Sequence, residues 1–335
     1  MAALVFTEIG KLELLELPLP ELVRPDDVLV EVKAAGVCGS DLHGYTGASG
    51  RRTPPLIMGH EATGRVVAFG NGVTEIDVGA RVALMPLELR GGKRRLLGMD
   101  APGAYAAYVV WPADRLFALP DTLSYDAGAF AEPLAVALHA LGVSRRLTPD
   151  CKTAFVAGAG TIGLLIAAVL LASGVEVVVS DVSDARLAVA QAIGVGSGGA
   201  EGGVVNPARD EVRARVHALT GGRGVDVSFE AVGISATVGQ SLEVVRDGGT
   251  VVWVGNNQRF IEVDMQAVVT RELNVLGSYG LSDDNFSEAL RWLAAGRIPT
   301  EMLTSRRVPL TGSAGLFDEL LASPETIKCL IQPGS

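Results

Sequence analysis

The stretch "GVCGSDLH" at 36–43 is followed by "GHE" at 59–61, in a chain that has only three cysteines and four histidines. A thiolate from Cys38 and a neutral imidazole from His60 are the donor types zinc prefers, and a carboxylate can complete the protein ligands while leaving one position open for substrate. Ser40, Asp41 and His43 follow on the same segment. A hydroxyl and a histidine near its own pKa can hand on a proton, and a nearby carboxylate such as Asp41 can hold a metal ligand in orientation. Taken singly, Cys38 also reads as a small core residue, His60 as a buried histidine and His43 as a loop residue without a role.

A second constellation is "GAGTIG" at 158–163. Gly158, Gly160 and Gly163 fall in the G-x-G-x-x-G spacing between a strand pattern and a helix pattern. The first glycine permits a tight turn, the second lets a pyrophosphate approach, and the third allows close helix packing. Thr161 and Ile162 open the helix, whose first N–H groups are free to meet phosphates. Asp181 ends the next strand at roughly the 20-residue spacing of a ribose-binding acid. A carboxylate there favours the 2′-hydroxyl of NAD over the 2′-phosphate of NADP. Arg186 is placed to cover the adenine or, in the opposite sense, to meet a phosphate. NAD is the expectation.

These residues need two kinds of scaffold. Short β-type runs such as "DVLVEVKAAG", "ATGRVVAFG" and "ARVALM" fill the first 120 or so residues between Gly, Pro and Asp turns, which predicts a β-rich domain. From about residue 150 the pattern alternates strand, glycine turn and helix. That predicts an α/β fold with a doubly wound parallel sheet and right-handed crossovers. The expected boundaries are 1–143 with 280–335 for a discontinuous catalytic domain, and 144–279 for the dinucleotide-binding domain. The strand-like tail "IKCLIQP" is expected to return to the first domain, and the glycine-dense 194–203 to be a flexible loop.

Composition narrows the class. With 335 residues, 48% hydrophobic and 20% charged, the chain can bury two cores. A formal charge of −10 argues against nucleic acid. The basic runs Arg51-Arg52 and 93–95 read as solvated surface. An odd number of widely spaced cysteines suits a reducing cytoplasm, and the N-terminus lacks the pattern of a signal peptide. The uncharged run 154–175 is long enough to span a membrane, but its glycine motif favours a buried strand, turn and helix.

Together, "GVCGSDLH", "GHE" and the dinucleotide motif resemble the zinc-dependent medium-chain alcohol dehydrogenase superfamily, over almost the whole chain. "AFAEPLAVALHAL" at 129–141 is similar to the polyol branch, with Glu132 where other alcohol dehydrogenases of the superfamily have a cysteine ligand. The resemblance implies a Rossmann domain beside a GroES-like catalytic domain. It implies a catalytic zinc held by Cys38, His60 and a carboxylate, with Glu61 and Glu132 both eligible. It also implies that Ser40 hydrogen-bonds the alcohol and that the proton leaves through the nicotinamide ribose to His43. Residues 84–103 lack the four-cysteine lobe of many members, so one zinc per chain is expected and no structural zinc. Tyr45, Arg51 and Arg52 follow His43 and are placed to line the cleft. Two arginines could hold a phosphate, although surface arginines are the simpler reading. The implied substrate is a small-molecule secondary alcohol of polyol, sugar-alcohol or cyclitol type, and the implied assembly a homodimer or homotetramer. A zinc-free enone or quinone reductase on the same scaffold, or a non-catalytic nucleotide-binding protein, remains the alternative.

Overall fold

The protein is described from a computed structural model, covering residues 1–197 and 203–334. Half of the loop expected to be flexible at 194–203, residues 198–202, therefore lies outside the described residues. The chain forms two compact units. One comprises Met1–Glu132, Phe286–Gly296 and Thr304–Ser335, the other Pro133–Asn285 and Arg297–Leu303. The changes of unit fall within or near the helices Ala131–Arg145 and Asp283–Ala294, where a continuous helical pattern offers the sequence no break.

The second unit is built on a six-stranded sheet, in the order Val204–Val205, Glu176–Ser180, Thr153–Ala157, Val225–Glu230, Val245–Trp253, Asn274–Gly277. All its neighbouring pairs are parallel. This is the doubly wound order, whose strand order reverses outward from the central strand Thr153–Ala157. Strands covered on both faces read as unbroken apolar runs, and Val225–Glu230 is buried at every position. The helix Thr161–Ala172 is apolar on all sides and buried from Gly163 to Leu170, which accounts for the uncharged run 154–175. Among the described residues one helical stretch, Tyr125–Arg145, is long and apolar enough to cross a membrane. Of its apolar window, 72% is buried inside the protein, as in a core helix.

The first unit centres on a seven-stranded sheet. Its long strand Asp27–Gly36 pairs antiparallel with Glu61–Phe69, with Tyr108–Pro112 and with the C-terminal strand Lys328–Gln332. The tail thus returns to the catalytic unit. Fully buried Phe6, Tyr105, Trp111 and Phe317 anchor the core, each aliphatic or aromatic side chain contributing about 1.5–3 kcal/mol relative to exposure.

Residues 87–96 form a hairpin, Leu87–Arg90 with Lys93–Leu96. Its turn, Gly91-Gly92, has φ of +56° and +74°, the left-handed pair that a two-residue turn of this twist requires. Buried Glu88 accepts ion pairs from Arg24 (2.9 Å), Arg90 (3.1 Å) and Arg95 (3.2 Å). Arg95 also lies over the Trp111 ring. The basic run 93–95 is therefore only partly solvated surface, because its last member has an acid and an aromatic face to pack on.

Candidate active site

Strand register brings the candidate site residues together. Gly36 stands opposite Glu61 on one side and opposite Leu330 on the other. Cys38 lies just beyond Gly36, His60 just before Glu61, and Lys328 two residues before Leu330, so three distant segments meet at one end of the sheet. A side chain at Gly36 would displace the Glu61 carboxylate, since a Cβ would stand 2.0 Å from Glu61 Oε2.

The ligand atoms of Cys38, His60 and Glu61 lie within 4.8 Å of one another. Lys328 Nζ donates to both oxygens of Glu61, at 2.8 and 2.6 Å, and to the Val37 carbonyl at 3.0 Å. Both side chains of this ion pair are almost wholly buried. Glu132, in the first turn of Ala131–Arg145, is also buried. Burial pushes its carboxyl up to about 8 against the pull of His60, with Glu61 and Cys38 adding to the rise. Burial, then Glu61 and Asp41, push the Cys38 thiol up to about 11. Burial beside other acidic groups thus holds both thiol and carboxyl back from ionising, against the pull of Lys328. A divalent ion would reverse both effects, and the sulfur, nitrogen and oxygen donors suit zinc.

Asp41 is fully buried and collects donors. Arg52 Nη2 (2.6 Å) bonds to Oδ1, and the Tyr105 hydroxyl (2.6 Å) and Cys38 N–H (3.4 Å) bond to Oδ2. His60 Nδ1, which is buried and makes no conventional hydrogen bond, faces Asp41 Oδ1 at 3.5 Å. The Tyr105 ring needs Gly59, because a Cβ there would come within 2.6 Å of it.

Ser40 is exposed and donates to Cys38 Sγ at 3.3 Å. His43 is half-buried, and burial, then Arg52, hold its imidazole below the usual histidine range. Among the described residues no hydrogen bond joins Ser40 to His43. Two expectations fail. Arg52 is buried rather than solvated, because Ser40 and Asp41 supply its acceptors. Tyr45 is buried too, its hydroxyl bonded to the Gly10 carbonyl (2.6 Å) and Asp318 (2.8 Å), so it is a packing residue of the β-rich unit.

In the other unit, Gly158 has φ +99° at the end of Thr153–Ala157, and Gly160 caps the helix Thr161–Ala172. A Cβ at Gly163 would stand 1.8 Å from the Gly158 carbonyl, so close packing of helix on turn demands glycine. At Gly160 a Cβ would meet only Arg186 Nη1, 3.9 Å away. Space remains there for a ligand against bare backbone. Asp181 accepts from Ala159 N–H at 2.7 Å and Ser183 N–H at 2.8 Å, which fixes the acid beside the glycine turn. Arg186 lies 3.8 Å from the same carboxylate.

Residues 24–121 match the alcohol dehydrogenase GroES-like domain family, and residues 161–295 the zinc-binding dehydrogenase family. The chain belongs to the zinc-dependent medium-chain dehydrogenases, in their polyol branch, and is an oxidoreductase acting on alcohols. Over 98% of its length it is 30% identical to D-xylulose reductase of Saccharomyces cerevisiae, of which it covers 97%. Galactitol-1-phosphate dehydrogenase from Escherichia coli shares the fold with a TM-score of 0.89 and 26% identity, over 99% of this chain and 100% of that one. A zinc-binding dehydrogenase from Sinorhizobium meliloti 1021, bound to NADP, has a TM-score of 0.87 at 30% identity, over 99% of each chain.

Sequence reasoning missed Lys328 and Tyr105, and named Arg52 only as a cleft, phosphate-binding or surface residue. "GRRTPP" at 50–55 held a faint signal for Arg52 in the upstream Gly44, but nothing local to Lys328 points to Glu61.

Proposed function

We propose that the protein oxidises a secondary alcohol of a polyol, sugar alcohol or cyclitol to the ketone, with NAD as partner and a single zinc. The observation that carries this reading is the meeting of Cys38, His60 and Glu61 within 4.8 Å of one another, with the Ser40 hydroxyl on Cys38 Sγ and buried Glu132 in electrostatic reach of His60, Glu61 and Cys38. Cys38 and His60 would hold the metal with one carboxylate. Glu61 already has Lys328 as its cation, which favours Glu132 as the third ligand. Asp41 faces His60 Nδ1 and would fix the tautomer whose Nε2 binds metal. Bound there, zinc supplies a Lewis acid that eases loss of the substrate's hydroxyl proton near neutral pH.

Ser40 hydrogen-bonds the substrate oxygen, and His43, neutral at physiological pH, takes the departing proton toward solvent. Bound NAD would supply the acceptor for the hydride of the carbinol carbon. Asp181 receives the adenosine ribose hydroxyls and disfavours a 2′-phosphate. Gly158, Gly160, Thr161, Ile162 and Gly163 form the pyrophosphate turn, with Arg186 over the adenine side.

The test combines elemental analysis with NADH-formation assays on polyols, cyclitols and sugar-alcohol phosphates, for the native protein and Cys38→Ala. One zinc per chain, turnover of a polyol and a large preference for NAD are expected. Cys38→Ala should lose zinc and turnover yet retain NAD binding. Full activity in a zinc-free Cys38→Ala protein would defeat the reading, and equal efficiency with NADP would defeat the role of Asp181.

A further inference from the structure

Arg52 is an arginine buried to 7% exposure on the same side of the β-rich unit as Ser40. Its stem crosses Gly44, where a Cβ would stand 2.3 Å from Arg52 Cδ. The helix Gly39–Tyr45 therefore carries a glycine at the point where this side chain must pass. The guanidinium then spends its fork on two neighbouring residues. Nη1 donates to the Ser40 carbonyl at 2.9 Å, and Nη2 donates to Ser40 Oγ at 3.2 Å and to Asp41 Oδ1 at 2.6 Å. Nε is buried without a hydrogen-bond partner among the described residues.

We propose that Arg52 is a positioning residue for the reaction, fixing Ser40 so that its hydroxyl proton is presented to the substrate oxygen. The inference rests on the alcohol-oxidation reading given above. A serine hydroxyl has one proton to give and two lone pairs. With Arg52 donating into a lone pair, the proton is directed away from the guanidinium, and in this structure it goes to Cys38 Sγ at 3.3 Å, on the metal-ligand side. A hydroxyl that accepts a charge-assisted hydrogen bond is also a better donor to oxygen bearing developing negative charge. The planar fork does what a lysine cannot, since it reaches the Ser40 carbonyl, the Ser40 hydroxyl and Asp41 at once from two nitrogens in fixed relation.

The test compares the zinc-loaded native protein with Arg52→Met, Arg52→Lys, Ser40→Ala and the Arg52→Met/Ser40→Ala double variant. Crystal structures come first. Arg52 should remain within hydrogen-bond distance of Ser40 Oγ in the native holoenzyme, and the Ser40 side chain should turn to another rotamer in Arg52→Met. Zinc content and NADH affinity should stay native in every variant. In kinetics with the best alcohol from the screen, Arg52→Met should lower kcat by about 100-fold or more, the scale of a lost proton-transfer group, with a smaller change in KM. Arg52→Lys should recover part of that loss. The double variant should be no slower than Ser40→Ala, because Arg52 acts through Ser40. An unmoved Ser40 rotamer, or losses that multiply in the double variant, overturns the proposal. Should the native enzyme oxidise no alcohol, the alcohol-oxidation reading fails, while the Ser40 rotamers still decide the role of Arg52.

Discussion

His43 shows how much one neighbour can decide. Its imidazole is shifted down by partial burial and then by the Arg52 guanidinium, so protonation requires a pH below the ordinary histidine value of about 6.5. The neutral form is the one that can accept a proton from the oxidised alcohol. We expect kcat for alcohol oxidation to be level near neutrality and to fall on the acid side, with the limb below that ordinary value. His43→Gln should remove the limb and lower the plateau. A pH–rate profile of both proteins checks this, and an identical acid limb in His43→Gln would assign the limb to another group. The same sign governs stability. A histidine whose folded pKa is depressed binds fewer protons folded than unfolded, so its contribution weakens as pH falls below the unfolded value.

At the scale of elements, the Lys328–Glu61 pair joins the C-terminal strand to Glu61–Phe69 across the end of Asp27–Gly36. Both partners are nearly solvent-free, so removing one strands the other in low dielectric. Breaking a buried pair costs about 3–5 kcal/mol, whereas replacing both members with apolar residues is often near neutral. Lys328→Met should therefore destabilise the protein by about that amount in urea unfolding. Adding Glu61→Leu should restore most of the loss. If the single variant is as stable as the native chain, Glu61 has taken up a proton or another cation and the pair is not what holds the strand.

For the whole molecule the open question is assembly. Among the described residues Asn274–Gly277 pairs only with Val245–Trp253 and forms an edge of the six-stranded sheet. An uncovered edge offers free N–H and C=O groups to a second copy, and a two-fold contact of like edges closes a dimer. Exposed Phe260, Met265 and Val269 lie in the segment leading to that strand and would add apolar surface. We expect a homodimer or homotetramer in sedimentation equilibrium at micromolar concentration, and Val275→Lys to shift the population toward monomer. A native protein that sediments as a monomer would dispose of the edge-pairing account.

The parts legible from the sequence are those fixed by local sterics and donor chemistry. The glycine spacing at 158–163 had to make a tight turn, and the structure gives Gly158 a φ of +99° and leaves Gly163 no room for a Cβ. Valine-rich runs bounded by turns had to be buried strands, and Cys38 and His60 stood out as zinc-type donors, whose ligand atoms the structure brings within 4.8 Å of each other and of Glu61. Tertiary structure decided what depends on strand register across hundreds of residues. Lys328 reaches Glu61 only because the C-terminal strand pairs beside Gly36, and no local pattern near residue 328 encodes that. Arg52 read as a surface charge because arginine usually is one. It became buried because a glycine four residues past Ser40 opened a path, and three acceptor atoms on Ser40 and Asp41 waited at its end.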